Sequence, residues 1–155
     1  GIGAIKYADL AHNRTSDYVF SYDKMLSLQG NTATYMQYSY ARVHGILQKG
    51  QVDPHSLRVS GATIQFTHPA ERDLGLGILR FGDALDDALG DYRPNLLTAY
   101  LFELAKSFSG FFEECPVLKA DTDAIRASRL LLCDLTARTL KLGLELLGID
   151  VVEKM

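Results

Sequence analysis

Apolar residues recur at three- and four-residue intervals along most of this chain, a period that predicts α-helices rather than strands. Gly1 to His12 carries it through Ile2, Ile5 and Leu10. The stretch Thr15-Ser-Asp-Tyr-Val-Phe-Ser departs from it, and its β-branched and aromatic residues predict one short strand. A lone strand has nothing to pair with, so residues 1–30 read as the end of a larger domain, a connector whose sheet partners lie elsewhere.

From residue 31 onward helices dominate. Asn31 or Thr32 is placed to cap a helix that runs to Lys49 and stops at Gly50. Pro54, Gly61 and the run Thr63-Ile-Gln-Phe predict a loop with a hairpin over residues 51–68. Pro69 opens the next helix, capped by Thr67 or His68, with Leu74, Ile78 and Phe81 on one face. Gly82 is expected to break it, and a short acidic helix covers Asp83 to Leu89. A long helix starts at Pro94 and ends near Glu114, ahead of Pro116. The last helix follows Asp121-Thr-Asp, whose two aspartates suit capping and the positive end of the helix dipole. It reaches Leu147, with Gly148 in the stop position. Its leucines, from Leu130 to Leu146, form a broad apolar face suited to the centre of a bundle. The pattern therefore predicts an all-α helical bundle over residues 31–155.

Composition narrows the class. The 155 residues are 47% hydrophobic and 23% charged, which excludes a disordered or low-complexity chain. No run approaches the roughly 20 apolar residues of a membrane span. No basic stretch leads into an apolar core segment at the start, so a signal peptide is not expected and the reducing cytoplasm is. Cys115 and Cys133 form no CxxC pair, and four scattered histidines supply no metal-ligand spacing, so both cysteines are expected as small buried hydrophobes. The net charge of −3 argues against a generic nucleic-acid binder, DNA binders included, but leaves room for a specific RNA site. The charge is unevenly spread. Residues 1–52 hold five Lys and Arg against three Asp, whereas residues 70–95 hold three against six Asp and Glu. An anionic partner is expected to avoid the middle of the chain.

On the helix from Asn31 to Lys49, a turn of about 100° per residue places Met36, Tyr40, Val43 and Leu47 on one face, the expected core face. Tyr35, Tyr38, Arg42, Gly45 and Lys49 gather on roughly the opposite side. Aromatic rings with neighbouring cations suit unstacked bases and the phosphates beside them. The same stripe also suits packing against protein, and helical periodicity does not distinguish the two.

Other motifs are weaker. Gly1-Ile-Gly lacks the third glycine and the preceding strand of a dinucleotide loop. The pairs Asp86-Asp87 and Glu113-Glu114 point about 100° apart on their helices and read as solvated surface. No Ser/His/Asp set is justified without geometry. Arg126 and Arg129, three apart on the last helix, suit phosphate contacts or ion pairs with a neighbouring helix.

Several blocks, in order, carry a resemblance. Gly3-Ala-Ile-Lys-Tyr-Ala-Asp-Leu, Asn13-Arg-Thr-Ser-Asp-Tyr-Val-Phe, Gly30-Asn-Thr-Ala-Thr-Tyr-Met-Gln-Tyr-Ser-Tyr-Ala-Arg and the ending Leu146-Leu-Gly-Ile-Asp-Val-Val-Glu-Lys-Met are similar to class I arginyl-tRNA synthetases. Lys154 stands where those enzymes usually have Arg. His68-Pro-Ala-Glu-Arg and Asp123-Ala-Ile-Arg-Ala-Ser-Arg-Leu resemble the same family's anticodon-binding domain, named for an Asp-Ala-Leu-Arg motif; Ile125 replaces its Leu. Residues 50–65 diverge.

The resemblance implies a bundle domain, residues 31–155, that holds the anticodon loop of tRNA(Arg), preceded in residues 1–30 by the end of the catalytic domain. It further implies contacts to the loop by Tyr35, Tyr38, Phe112 and Met155, with Arg42 adding charge from the outward stripe. Tyrosine is frequent in the family where Phe112 stands, so stacking is retained here without a phenolic hydrogen bond. The whole enzyme implied is an ATP- and magnesium-dependent arginine–tRNA ligase whose catalytic domain belongs to the same polypeptide. No HIGH-type sequence is present, and Asp23-Lys-Met-Leu-Ser is only superficially like KMSKS, so this segment is expected to hold no cofactor and to be inactive alone. Two alternatives remain: a helical protein-interaction module, and the anticodon-binding domain of another class I synthetase such as the cysteine enzyme, against which the Gly3–Phe20 block argues.

Overall fold

Helices form where caps and apolar spacing coincide. The computed structural model describes all residues 1–155. In chain order its helices are α1 (Ile2–Ala11), α2 (Tyr22–Met25), α3 (Ala33–Lys49), α4 (Pro54–Val59), α5 (Pro69–Leu79), α6 (Phe81–Gly90), α7 (Pro94–Glu114) and α8 (Asp123–Leu146). There is no strand, and no helix is long and apolar enough to cross a membrane.

Local chemistry sets the ends. Thr32 Oγ1 accepts the Tyr35 N–H at 3.1 Å and caps α3. Thr122, between the two expected aspartates, caps α8 by accepting the Ile125 N–H at 3.1 Å. Asp123 then occupies the first turn, where a carboxylate complements the dipole. At α5 the His68 ring accepts the Ala70 N–H, while Glu71 reaches back to the His68 N–H at 3.0 Å. α8 stops in a left-handed turn: Gly148 has φ 71°, and the Gly148 and Ile149 N–H groups donate to Glu145 O and Leu144 O, both at 2.9 Å.

Three local expectations are corrected. Residues 15–21 form no strand; they run as an irregular segment with Val19 and Phe20 exposed, and lead into the short α2. β-propensity reports how well a side chain fits a pleated surface, and no such surface is available here. The hairpin expected in residues 51–68 is absent and α4 stands in its place. Asp53 caps it by accepting the His55 and Ser56 N–H groups, Pro54 occupies the first turn, and Arg58 binds the buried Asp134 of α8 with two hydrogen bonds of 2.8 and 2.6 Å. The break between α5 and α6 falls at Arg80, and Gly82 lies within the first turn of α6.

The core is centred on α7, which packs against α1, α3, α5, α6 and α8. α8 shares that centre through α3, α4, α5 and α7. Leu101, Phe108 and Phe111 from α7, Leu130, Leu140 and Leu144 from α8, and Met36 and Val43 from α3 are all fully buried. Tyr7 of α1 joins the same core. Its hydroxyl donates to Asn31 Oδ1 at 2.6 Å and lies 3.1 Å from Thr98 O of α7, and burial pushes the phenol well above its ordinary pKa. Cys115 and Cys133 are buried and unpaired, with burial raising the Cys133 thiol to about 12.

Beyond Gly148 the chain lies against α1 and α3. Lys6 Nζ donates to Gly148 O at 3.0 Å, and Gln37 Nε2 donates to Asp150 O at 2.7 Å. Ile149 is buried beneath these contacts.

Candidate nucleic-acid interface

The outward stripe of α3 exists because the opposite side of the helix is committed to the core. Met36, Val43 and Leu47 are buried as the spacing required, and Ser39 and Ile46 complete the buried face, which leaves Tyr40 half-buried at its edge. The two stripe tyrosines have different neighbours. Tyr35 turns toward α7: its hydroxyl shares a 3.2 Å hydrogen bond with Ser109, and its ring meets Phe102 edge-on at 5.9 Å. Tyr38, one turn on, is 39% exposed.

Tyr38, Arg42 and Gly45 form a ridge between two clefts. The larger, of about 530 Å³, is closed on its far side by Phe112 of α7 and by Val117, Leu118 and Lys119 of the α7–α8 loop. The smaller, of about 360 Å³, is bounded by Gln48 and by Glu153, Lys154 and Met155 of the tail. Arg42 lies over the Phe112 ring, with its guanidinium carbon 4.1 Å from the centroid, a cation–π contact that orients both groups. Met155 is 58% exposed at the rim, and the tail is drawn toward α3 by Glu153, 3.7 Å from the His44 ring. The structure thus brings Tyr38, Arg42, Phe112 and Met155 around one pair of clefts, and places Tyr35 behind them on the α7 side.

The walls of the larger cleft are braced from the start of α8. Arg126 donates to Gly50 O at 3.2 Å, at the end of α3, and Arg129 donates to Pro116 O at 2.8 Å, in the α7–α8 loop. Arg129 also binds the fully buried Glu71 at 2.6 Å. Burial alone would raise the Glu71 carboxyl; hydrogen bonds from Arg129, from the Thr67 and His68 N–H groups and from the Thr67 hydroxyl hold it below its ordinary range instead. The two walls touch where Gly50 meets Leu118: a Cβ on Gly50 would lie 2.7 Å from Leu118 Cδ2. The spacing of Arg126 and Arg129 was visible in the sequence, but their targets are carbonyls and a carboxylate on distant segments. Lys119 had no distinguishing mark there, because it sits in a loop that only the helix packing brings opposite α3.

Residues 36–155 match the profile of the DALR anticodon binding domain. Along its whole length the chain is 56% identical to an arginine–tRNA ligase of Synechocystis sp. and 54% identical to one of Synechococcus elongatus, and it spans 26% of each, about a quarter of those proteins. Among solved structures, the arginyl-tRNA synthetase of Plasmodium falciparum aligns over 99% of this chain and 27% of its own, with a TM-score of 0.87 and 39% identity. That of Thermus thermophilus aligns over 99% and 26%, with a TM-score of 0.86 and 35% identity.

Proposed function

Because the chain belongs to the DALR anticodon-binding domain family, we propose that it is the anticodon-binding segment of an arginine–tRNA ligase and that the pair of clefts at α3 receives the anticodon loop of tRNA(Arg). The observation that carries this reading is the convergence of Tyr38, Arg42, Phe112 and Met155, drawn from three separate stretches of sequence, on one surface. An exposed ring and a guanidinium backed by a second ring offer stacking planes to splayed bases, and stacking tolerates any base. Tyr35 supports this surface from the α7 side. Met155 and the tail, which end in the smaller cleft, shape it around a base edge.

Activation of arginine with ATP and magnesium is then the work of the catalytic domain in the longer polypeptide, and this segment sets where the tRNA stands. Residues 1–30 are the connector to that domain. They carry a dense set of exposed apolar side chains, among them Val19, Phe20, Tyr22, Leu26 and Leu28, which suits burial against the rest of the same polypeptide. Differential binding of the correct anticodon contributes specificity by favouring productive placement of the acceptor end. The reading places the protein in the cytoplasm, where translation occurs.

Titration of the chain with an arginine tRNA and with an unrelated tRNA, at two salt concentrations, tests the assignment. The expected result is a preference for the arginine tRNA, a marked salt dependence, and a loss of about 1–3 kcal/mol on Tyr38→Ala, as for one stacked base. Equal and salt-insensitive binding of both RNAs, unchanged by Tyr38→Ala, would assign the stripe to protein contact.

A further inference from the structure

We propose that the larger cleft contains a phosphodiester subsite gripped from opposite walls by Lys49 and Lys119, so that the RNA backbone crosses between the end of α3 and the α7–α8 loop while the adjacent base is held at Tyr38. This deepens the anticodon reading and rests on it.

The charged side chains lining this cleft are Arg42, Lys49 and Lys119, with no carboxylate among them, in a protein whose Asp and Glu outnumber its Lys and Arg by 19 to 16. The smaller cleft includes Glu153, so an anion is favoured on the larger side of the ridge. Lys49 and Lys119 are both exposed and neither forms an ion pair. The Lys49 side chain is also not required to satisfy the end of its helix, because the Ile46, Leu47 and Gln48 carbonyls already accept from the Gly50, Val52 and Gln51 N–H groups. Their approach is fixed by the backbone: Lys49 precedes Gly50 and Lys119 follows Leu118, the two residues at which the walls touch. Arg126 and Arg129 hold these walls through Gly50 O and Pro116 O, so the pair of ammonium groups is carried on a braced frame. Two flexible, strongly hydrated cations facing each other suit a single diffuse anion such as a phosphodiester. Arg42 is already engaged with Phe112 and serves the neighbouring base.

The test measures the affinity of this chain for an RNA hairpin carrying the anticodon stem and loop of an arginine tRNA, across a series of salt concentrations. Each phosphate neutralised on single-stranded RNA contributes about 0.7 to the slope of log K against log salt. The double variant Lys49→Gln/Lys119→Gln removes both grips on that one phosphate and should therefore have a slope shallower by about 0.7, with affinity reduced about 5-fold at 0.1 M salt and converging on the unaltered chain near 1 M. A second double variant, Arg138→Gln/Lys141→Gln on the exposed surface of α8, controls for the overall field and should leave the slope nearly unchanged. Thermal unfolding of both variants checks that the bundle is intact. The proposal is overturned if the unaltered chain binds the hairpin with a steep slope that Lys49→Gln/Lys119→Gln does not reduce, or if both double variants reduce it equally; the anticodon reading survives either result. Absence of hairpin binding by the unaltered chain would overturn both.

Discussion

Glu71 is a carboxylate in a site closed to solvent, and its neighbours explain why it persists there. It caps α5 through the His68 N–H, receives the Thr67 N–H and hydroxyl, and pairs with Arg129, itself fixed to the loop that walls the larger cleft. Its folded pKa lies below the ordinary carboxylate range, so the sign of the linkage is fixed: the stabilisation is complete above the ordinary value and is lost as pH falls through the lowered one. Glu71→Gln is expected to cost roughly 1.5–3 kcal/mol at neutral pH, because the Arg129 guanidinium, whose side chain is 12% exposed, loses its carboxylate partner and keeps only Pro116 O, and to flatten the acid limb of a plot of urea midpoint against pH. A variant with the acid limb of the unaltered chain would place the acid-sensitive group elsewhere. The sequence showed Glu71 as a helix-start residue after His68-Pro69, and it showed Arg129 on another helix; nothing in their spacing, 58 residues apart, joined them. Tyr35 and Tyr38 make the same point. Both belong to the outward stripe by helical geometry, and only the position of α7 separates the one bonded to Ser109 from the one left open.

At the scale of elements, the long helices were the most legible. α3, α7 and α8 each combine a capping residue or an N-terminal proline with sustained apolar periodicity, and each forms within a few residues of the expected limits. α4 carried a usable signal that the β-like run Thr63-Ile-Gln-Phe obscured: Asp53-Pro54 is an N-cap followed by a first-turn proline. The segment at residues 15–21 had strand-forming residues and no neighbouring strand, so its propensity went unused. Helix packing also sets requirements that periodicity does not express. A Cβ on Gly143 of α8 would lie 2.5 Å from Leu101 Cδ2 of α7, both residues being buried. Gly143→Ala should therefore destabilise the bundle by about 1–3 kcal/mol despite the better helix propensity of alanine. Combining it with Leu101→Ala should cost less than the sum of the two single variants in chemical denaturation. Strict additivity would show that the two helices do not meet there.

For the molecule as a whole, α1 is bound into the same core as the later helices through Tyr7, while residues 13–28 expose most of their apolar side chains. Unfolding of the chain should consequently be a single transition, coincident when followed by helical circular dichroism and by tyrosine fluorescence. Tyr7→Ala should shift that transition as a unit by about 3–5 kcal/mol. Two separable transitions would make residue 30 an energetic boundary as well as a compositional one.

The sequence by itself determined the helical class, most helix limits, the outward stripe of α3 and the resemblance to arginyl-tRNA synthetases, because each is written in local spacing, capping chemistry or contiguous motifs. Tertiary structure alone decided which stripe residues stay open, that the tail returns to α3, and that Lys119 stands across a cleft from Lys49. Those are relations between segments far apart in the chain, and they are set by how α7 and α8 pack, which no local pattern encodes.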